Sequence, residues 1–154
     1  MGYSNWLFFY GAQQNNLFVV GMVLKINNIH CYKLQLVVGI GSNTREELLA
    51  LWGLLKFAYL KGIIHLMVVG DSKCIVDWAS GKYQLNIMIL NSWKENILQL
   101  KSLFQTIHFM HVHRHFNGEV DHLSKEALLN TEGFMFFEEY EDREIVDQGS
   151  LLFY

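Results

Sequence analysis

Proline is absent from this chain. Its turns must therefore be built from glycine, asparagine and serine, which reach turn geometry through positive φ or side-chain bonds to the backbone. Cysteine is nearly absent as well. Cys31 and Cys74 stand at unrelated places, which suggests free thiols in a reducing compartment more than a disulfide framework. No signal peptide opens the chain, and no apolar run is long enough to span a bilayer. The expectation is an intracellular protein, in cytoplasm or nucleus, with no membrane partner. Internal repeats and low-complexity linkers are also missing.

What is present suits one domain of ordinary size. The chain has 154 residues, about half of them hydrophobic, so a proper core can form. The net charge of −3 conceals an uneven layout. From position 132 onwards seven acids (Glu132, Glu138, Glu139, Glu141, Asp142, Glu144 and Asp147) face only Arg143. The first 131 residues carry 8 acids and 11 bases, a net +3. The layout suggests a mildly basic body over residues 1–131, and an acidic, aromatic tail over 132–154 that packs on the body or trails from it. A basic body is compatible with a polyanionic partner without demanding one.

The stretch from Leu66 to Trp78 organises the rest. It reads as a short apolar strand, a turn at Gly70, and a helix that Ser72 can cap. Asp71 then lies at the carboxyl end of a buried strand, where open α/β sheets place their chemistry. Two readings stand: a turn-and-cap aspartate, or a metal ligand that needs other carboxylates beside it.

Before that stretch, Trp6 to Tyr10, Leu17 to Ile26 and Cys31 to Ile40 read as three strands joined by polar turns, an antiparallel meander. Ser42, Asn43 and Thr44 can cap a helix whose face is Leu48, Leu51, Trp52, Leu55 and Ala58. Glu47 sits at the edge of that face, either as a solvated first-turn acid or as something more. After the central stretch, Ile89 to Phe104 reads as a helix, Ile107 to His113 as a fifth strand, and Glu119 to Leu129 as a last helix with Asp121 in its first turn. The order β-β-β-α-β-α-α-β-α implies an α/β fold, a mixed five-stranded sheet with helices on both faces.

These pieces resemble the type 1 ribonuclease H family, and more closely the ribonuclease H-like domain of plant retrotransposon polyproteins and their single-domain relatives. Phe8-Phe9-Tyr10-Gly11-Ala12 resembles the family's apolar-apolar-Asp-Gly-Ala. Ser42-Asn43-Thr44-Arg45-Glu46-Glu47-Leu48 resembles Thr-Asn-Asn-Arg-Ala-Glu-Leu. Gly70-Asp71-Ser72 matches as it stands, and so does the run from His111 to Leu128 with Arg114, Asn117, Asp121, Leu123 and Ser124 in place. Four motifs in order, with the right strands between them, cover about residues 6 to 150.

The resemblance implies a ribonuclease H-like fold, a monomer, and two-metal hydrolysis of the RNA strand in RNA–DNA hybrids. One divalent ion activates water and the other stabilises the leaving oxygen. Hard carboxylate oxygens suit Mg2+, or Mn2+ in its place. Carried over position by position, Glu47, Asp71 and Asp121 are the second, third and fourth metal-binding carboxylates. The first is missing, because Tyr10 stands where the family has Asp. A phenol is neutral at pH 7 and a poor Mg2+ ligand, so metal binding and rate are expected to fall. Gly11, Asn43, Thr44, Arg45, Ser72, Lys73, Arg114 and Asn117 fall at nucleic-acid-contacting positions. Departures cluster there: Thr44 for an Asn, His115 for a Glu, His122 after Asp121, and no Gly-Pro after Tyr10.

Five of the seven histidines lie between positions 108 and 122. His111, His113 and His115 share one strand face. They read either as a transition-metal site or as polar groups flanking the older site. His111 loosely resembles the family's proton-shuttling or product-releasing histidine. Two alternatives to cleavage stand: hybrid binding without hydrolysis, and an inactive retroelement relic.

Overall fold

Strand β2 (Leu17–Lys25) is apolar on both sides and lies between β1 (Trp6–Gln14) and β3 (His30–Gly39). Both pairings are antiparallel, as the polar turns require. The computed structural model describes residues 5–14, 17–39, 43–82, 84, 91–112 and 133–152. Within them follow α1 (Asn43–Leu60), β4 (His65–Gly70), α2 (Lys73–Ala79), α3 (Asn91–Ser102), β5 (Thr106–His111), β6 (Phe134–Glu141) and β7 (Glu144–Leu152). Ile40, Ser42, His113 and the helix expected over 119–129 lie outside the described residues.

β4 pairs parallel with β1, and β5 pairs parallel with β4. The sheet order is β5-β4-β1-β2-β3-β6-β7. The mixed sheet stands as expected, but it has seven strands where the sequence suggested five. The two extra strands come from the acidic, aromatic segment. β6 pairs antiparallel with β3, and β7 with β6. Asp142 and Arg143 both take positive φ, 49° and 69°, the geometry of a tight hairpin turn. The turn is tied down by a 2.8 Å bond from the Asp142 N–H to the Ile29 carbonyl. His30 and Glu139 meet at 2.6 Å across β3 and β6. Burial, then the nearby Glu139, pushes the Tyr32 hydroxyl up to about 12.

Alternation along the strands sends Leu7, Phe9, Val20, Met22, Leu24, Leu34 and Leu36 to the face that carries α1. The buried stripe of α1 is wider than its spacing suggests, because Leu49, Ala50, Leu54 and Phe57 are buried too. One side of the helix meets the sheet and another meets α3, where Trp52 and Trp93 pack edge to face at 5.7 Å. Each such leucine contributes about 1.5–3 kcal/mol by leaving water. Val19 and Val37, paired across β2 and β3, form a small cluster on the opposite face. Among the described residues, no helix is long and apolar enough to cross a membrane.

Candidate active site

The parallel register places Phe9 of β1 opposite Gly70 of β4. One step further along each chain stand Tyr10, within β1, and Asp71, just past the end of β4. Gly70 is needed here: a Cβ at that position would lie 2.5 Å from the Phe9 ring. Gly11 is constrained in the same way, 2.5 Å from the Phe18 ring. The two rings therefore fill the space that side chains at 70 and 11 would occupy. They wall a small depression that also holds Val20, Ala50, Glu47, Asp71 and Ser72.

Glu47, from the first turns of α1, and Asp71, from the end of β4, thus reach one depression although 24 positions separate them. Ser72 Oγ donates a 2.8 Å hydrogen bond to Glu47 Oε2. Ser72 holds the N-cap position of α2 with extended backbone angles, yet its side chain makes no capping bond. The hydroxyl expected to cap the helix thus serves instead to hold a carboxylate of α1 through a charge-assisted bond. Burial pushes the Glu47 carboxyl above its usual range, the Ser72 bond pulls it back, and the Asp71 charge raises it further.

The neighbouring acid behaves differently. Glu46 is fully buried, bonded by Arg45 through Oε1 at 2.8 Å, with Oε2 unpartnered. The sequence reading overlooked it. Its signal was the spacing of Glu46, Ala50 and Phe57, which share one helix side. On α2, Lys73 Nζ meets Asp77 at 2.5 Å, which holds that lysine beside the helix. His111 ends β5, and its Nε2 lies 3.2 Å from the Asp71 carbonyl oxygen, so it stands at the rim. Thr44 is half-buried in the first turn of α1. Asp121, Arg114, Asn117, His113, His115 and His122 lie outside the described residues, as do the side chains of Tyr10 and Asn43. Among the described residues, no three His, Cys, Asp or Glu side chains form a group able to hold a metal ion.

A mixed sheet of this order, with carboxylates meeting where β4 ends beside the middle of β1, defines a ribonuclease H-like domain. Solved structures agree. RNase H1 from the archaeon Halobacterium salinarum is 25% identical, with a TM-score of 0.73 over 82% of this chain and 98% of that one. LC11 RNase H1, solved with an RNA/DNA hybrid, is 22% identical, with a TM-score of 0.69 over 80% and 95%. The foamy viral protease-reverse transcriptase, also solved with an RNA/DNA hybrid, is 18% identical, with a TM-score of 0.57 over 81% of this chain and 20% of that one. No curated protein matches the sequence. Residues 14–127 match the reverse transcriptase-like family, and the chain belongs to that family.

Proposed function

We propose that this domain binds RNA–DNA hybrids at the Glu47–Asp71 depression, and that tyrosine at position 10 leaves it with greatly reduced hydrolysis of the RNA strand. The observation that carries the reading is the convergence of Glu47 and Asp71 beside the middle of β1, at the end of β4. Burial first, and then the Asp71 charge, raises the Glu47 carboxyl, and a cation beside the two carboxylates would relieve that cost. Their hard oxygens fit Mg2+ or Mn2+. Glu47, Asp71 and Asp121 would hold the metal, which when bound supplies an activated water and charge stabilisation at the leaving oxygen. Tyr10 offers a neutral phenol at pH 7 where the family resemblance implies a carboxylate ligand.

The chain's own groups divide the remaining work. Arg45 and Lys73, close in sequence to Glu47 and Ser72, would meet phosphates, and the family resemblance gives Arg114, Asn117, Asn43 and Thr44 the same task. Gly11 and Ser72 contribute differently from a direct contact: Gly11 packs against Phe18, and the Ser72 hydroxyl holds Glu47. His111, whose Nε2 lies 3.2 Å from the Asp71 carbonyl oxygen, would take or return a proton near Asp71. Hybrid would be selected over DNA duplex by groove shape and 2′-hydroxyls.

Equilibrium binding tests this. Hybrid should bind more tightly than double-stranded DNA of the same sequence at moderate salt, with affinity falling as salt rises. Equal affinity for the two duplexes would contradict the reading.

A further inference from the structure

The face of the sheet opposite α1 carries chemistry that the carboxylate site does not use. Strand alternation puts Trp6 and Phe8 of β1 on that face, opposite to Leu7 and Phe9 in the core. Their rings stack at 6.0 Å with 13° between planes. Register continues the row. Trp6 pairs with Lys25, Lys25 with Cys31, and Cys31 with Tyr140; Phe8 pairs with Val23, and Val23 with Lys33. Lys25 Nζ sits 5.4 Å from the centre of the Phe8 ring, and Lys33 Nζ sits 4.8 Å from that of Tyr140. The rings act as pedestals that hold two ammonium groups over the sheet. Arg143, in the β6–β7 turn, adjoins the same depression as both lysines. Two carboxylates oppose them: Asp142 in that turn, and Glu138, which accepts a 3.3 Å bond from the Tyr140 hydroxyl.

We propose that this stripe is a second nucleic-acid contact that takes an unpaired strand, running on from a duplex held at the carboxylate site. The inference rests on the hybrid-binding reading for its duplex. A row of cations tracks a phosphate backbone, and aromatic side chains on an open sheet stack unpaired bases. Bases within a duplex are already stacked and cannot use those rings. Position supports the same route. The stripe crosses four strands, about 14 Å, and Trp6 lies about 13 Å along β1 from Tyr10. A few unpaired nucleotides cover that span.

The test compares a blunt RNA–DNA hybrid with the same hybrid carrying a single-stranded extension of about ten nucleotides, at either end, by fluorescence anisotropy without divalent ions. The extension should tighten binding about tenfold. Lys25→Glu with Lys33→Glu should abolish that gain and leave the blunt hybrid's affinity unchanged. Equal affinity for blunt and extended hybrids, or a gain that survives in the variant, overturns the proposal and leaves the hybrid-binding reading intact. If charge reversal unfolds the protein, Lys25→Gln with Lys33→Gln reads the same difference. If the blunt hybrid does not bind at all, the hybrid-binding reading fails. The stripe is then judged on the extension strand alone: binding lost in the variant supports it, and absence of binding overturns it.

Discussion

Ser72 Oγ and Glu47 Oε2 lie 2.8 Å apart although 25 positions separate the residues. This bond joins the start of α2 to the start of α1 and fixes the direction of one carboxylate in the depression. Hydrogen bonds to charged groups contribute about 1.5–3 kcal/mol. Ser72→Ala should therefore lower stability by about 1–2 kcal/mol. The loss does not come from a helix cap, because no such cap is made. A double-mutant cycle with Glu47→Gln, read by urea denaturation, should return a coupling of about 1 kcal/mol. Additive effects would mean that the hydroxyl stabilises something else.

The raised Glu47 carboxyl gives stability a pH dependence. Its ordinary value is 4.5, and the folded value lies above that. The folded state thus binds this proton more tightly than the unfolded chain does. Between the two values stability falls as pH rises, and above the folded value the cost of the buried charge is complete. Glu47→Gln should therefore stabilise the protein at pH 7 and lose that advantage as pH falls from the raised folded value to 4.5. Thermal melts of both proteins across that range decide it. A substitution that destabilises equally at every pH would contradict the assignment.

Glu46 is expected to be a liability. Its carboxylate is fully buried, with one oxygen bonded by Arg45 and the other unpartnered. Replacing a buried ionic group with a well-fitting apolar one is often neutral or stabilising, by about 1–4 kcal/mol. Glu46→Met should raise the denaturation midpoint. A drop of more than about 2 kcal/mol would show that the Arg45 pair supports α1.

Gly70 and Gly11 are fixed by ring contact, so Gly70→Ala should destabilise by about 1–3 kcal/mol. Adding Phe9→Leu, which shortens the opposing ring, should recover part of that loss. Absence of recovery would place the strain elsewhere.

Much of the arrangement is legible in the sequence, for local reasons. The strand–turn–helix around Gly70 is carried by an aliphatic run and a glycine, and the structure puts Asp71 at that strand's end. The β6–β7 hairpin was harder to see. Its alternation of aromatics and acids has strand period, but Asp142-Arg143 is an unusual pair for a turn in which both residues take positive φ. Docking to β3 overrides that preference. Helical spacing with Ala50 and Phe57 marks Glu46 as the buried one of two adjacent acids, but the partner of Glu47 lies on another element. Glu46 faces the core and Glu47 faces Ser72, a partner supplied by another element. The hydroxyl's choice of Glu47 over its own helix is tertiary for the same reason.

Tyrosine at position 10 is proposed to limit cleavage at the Glu47–Asp71 site. The most direct measurement is cleavage of the RNA strand in a labelled RNA–DNA hybrid with Mg2+ or Mn2+, comparing the native protein with Tyr10→Asp. The variant should cut and the native protein should cut far more slowly, because the variant restores a carboxylate that would help Glu47 and Asp71 to hold the metal. Equal cutting by both proteins would contradict it, since another group would then supply that oxygen. No cutting by a folded Tyr10→Asp variant would contradict it too, since the defect would extend beyond position 10.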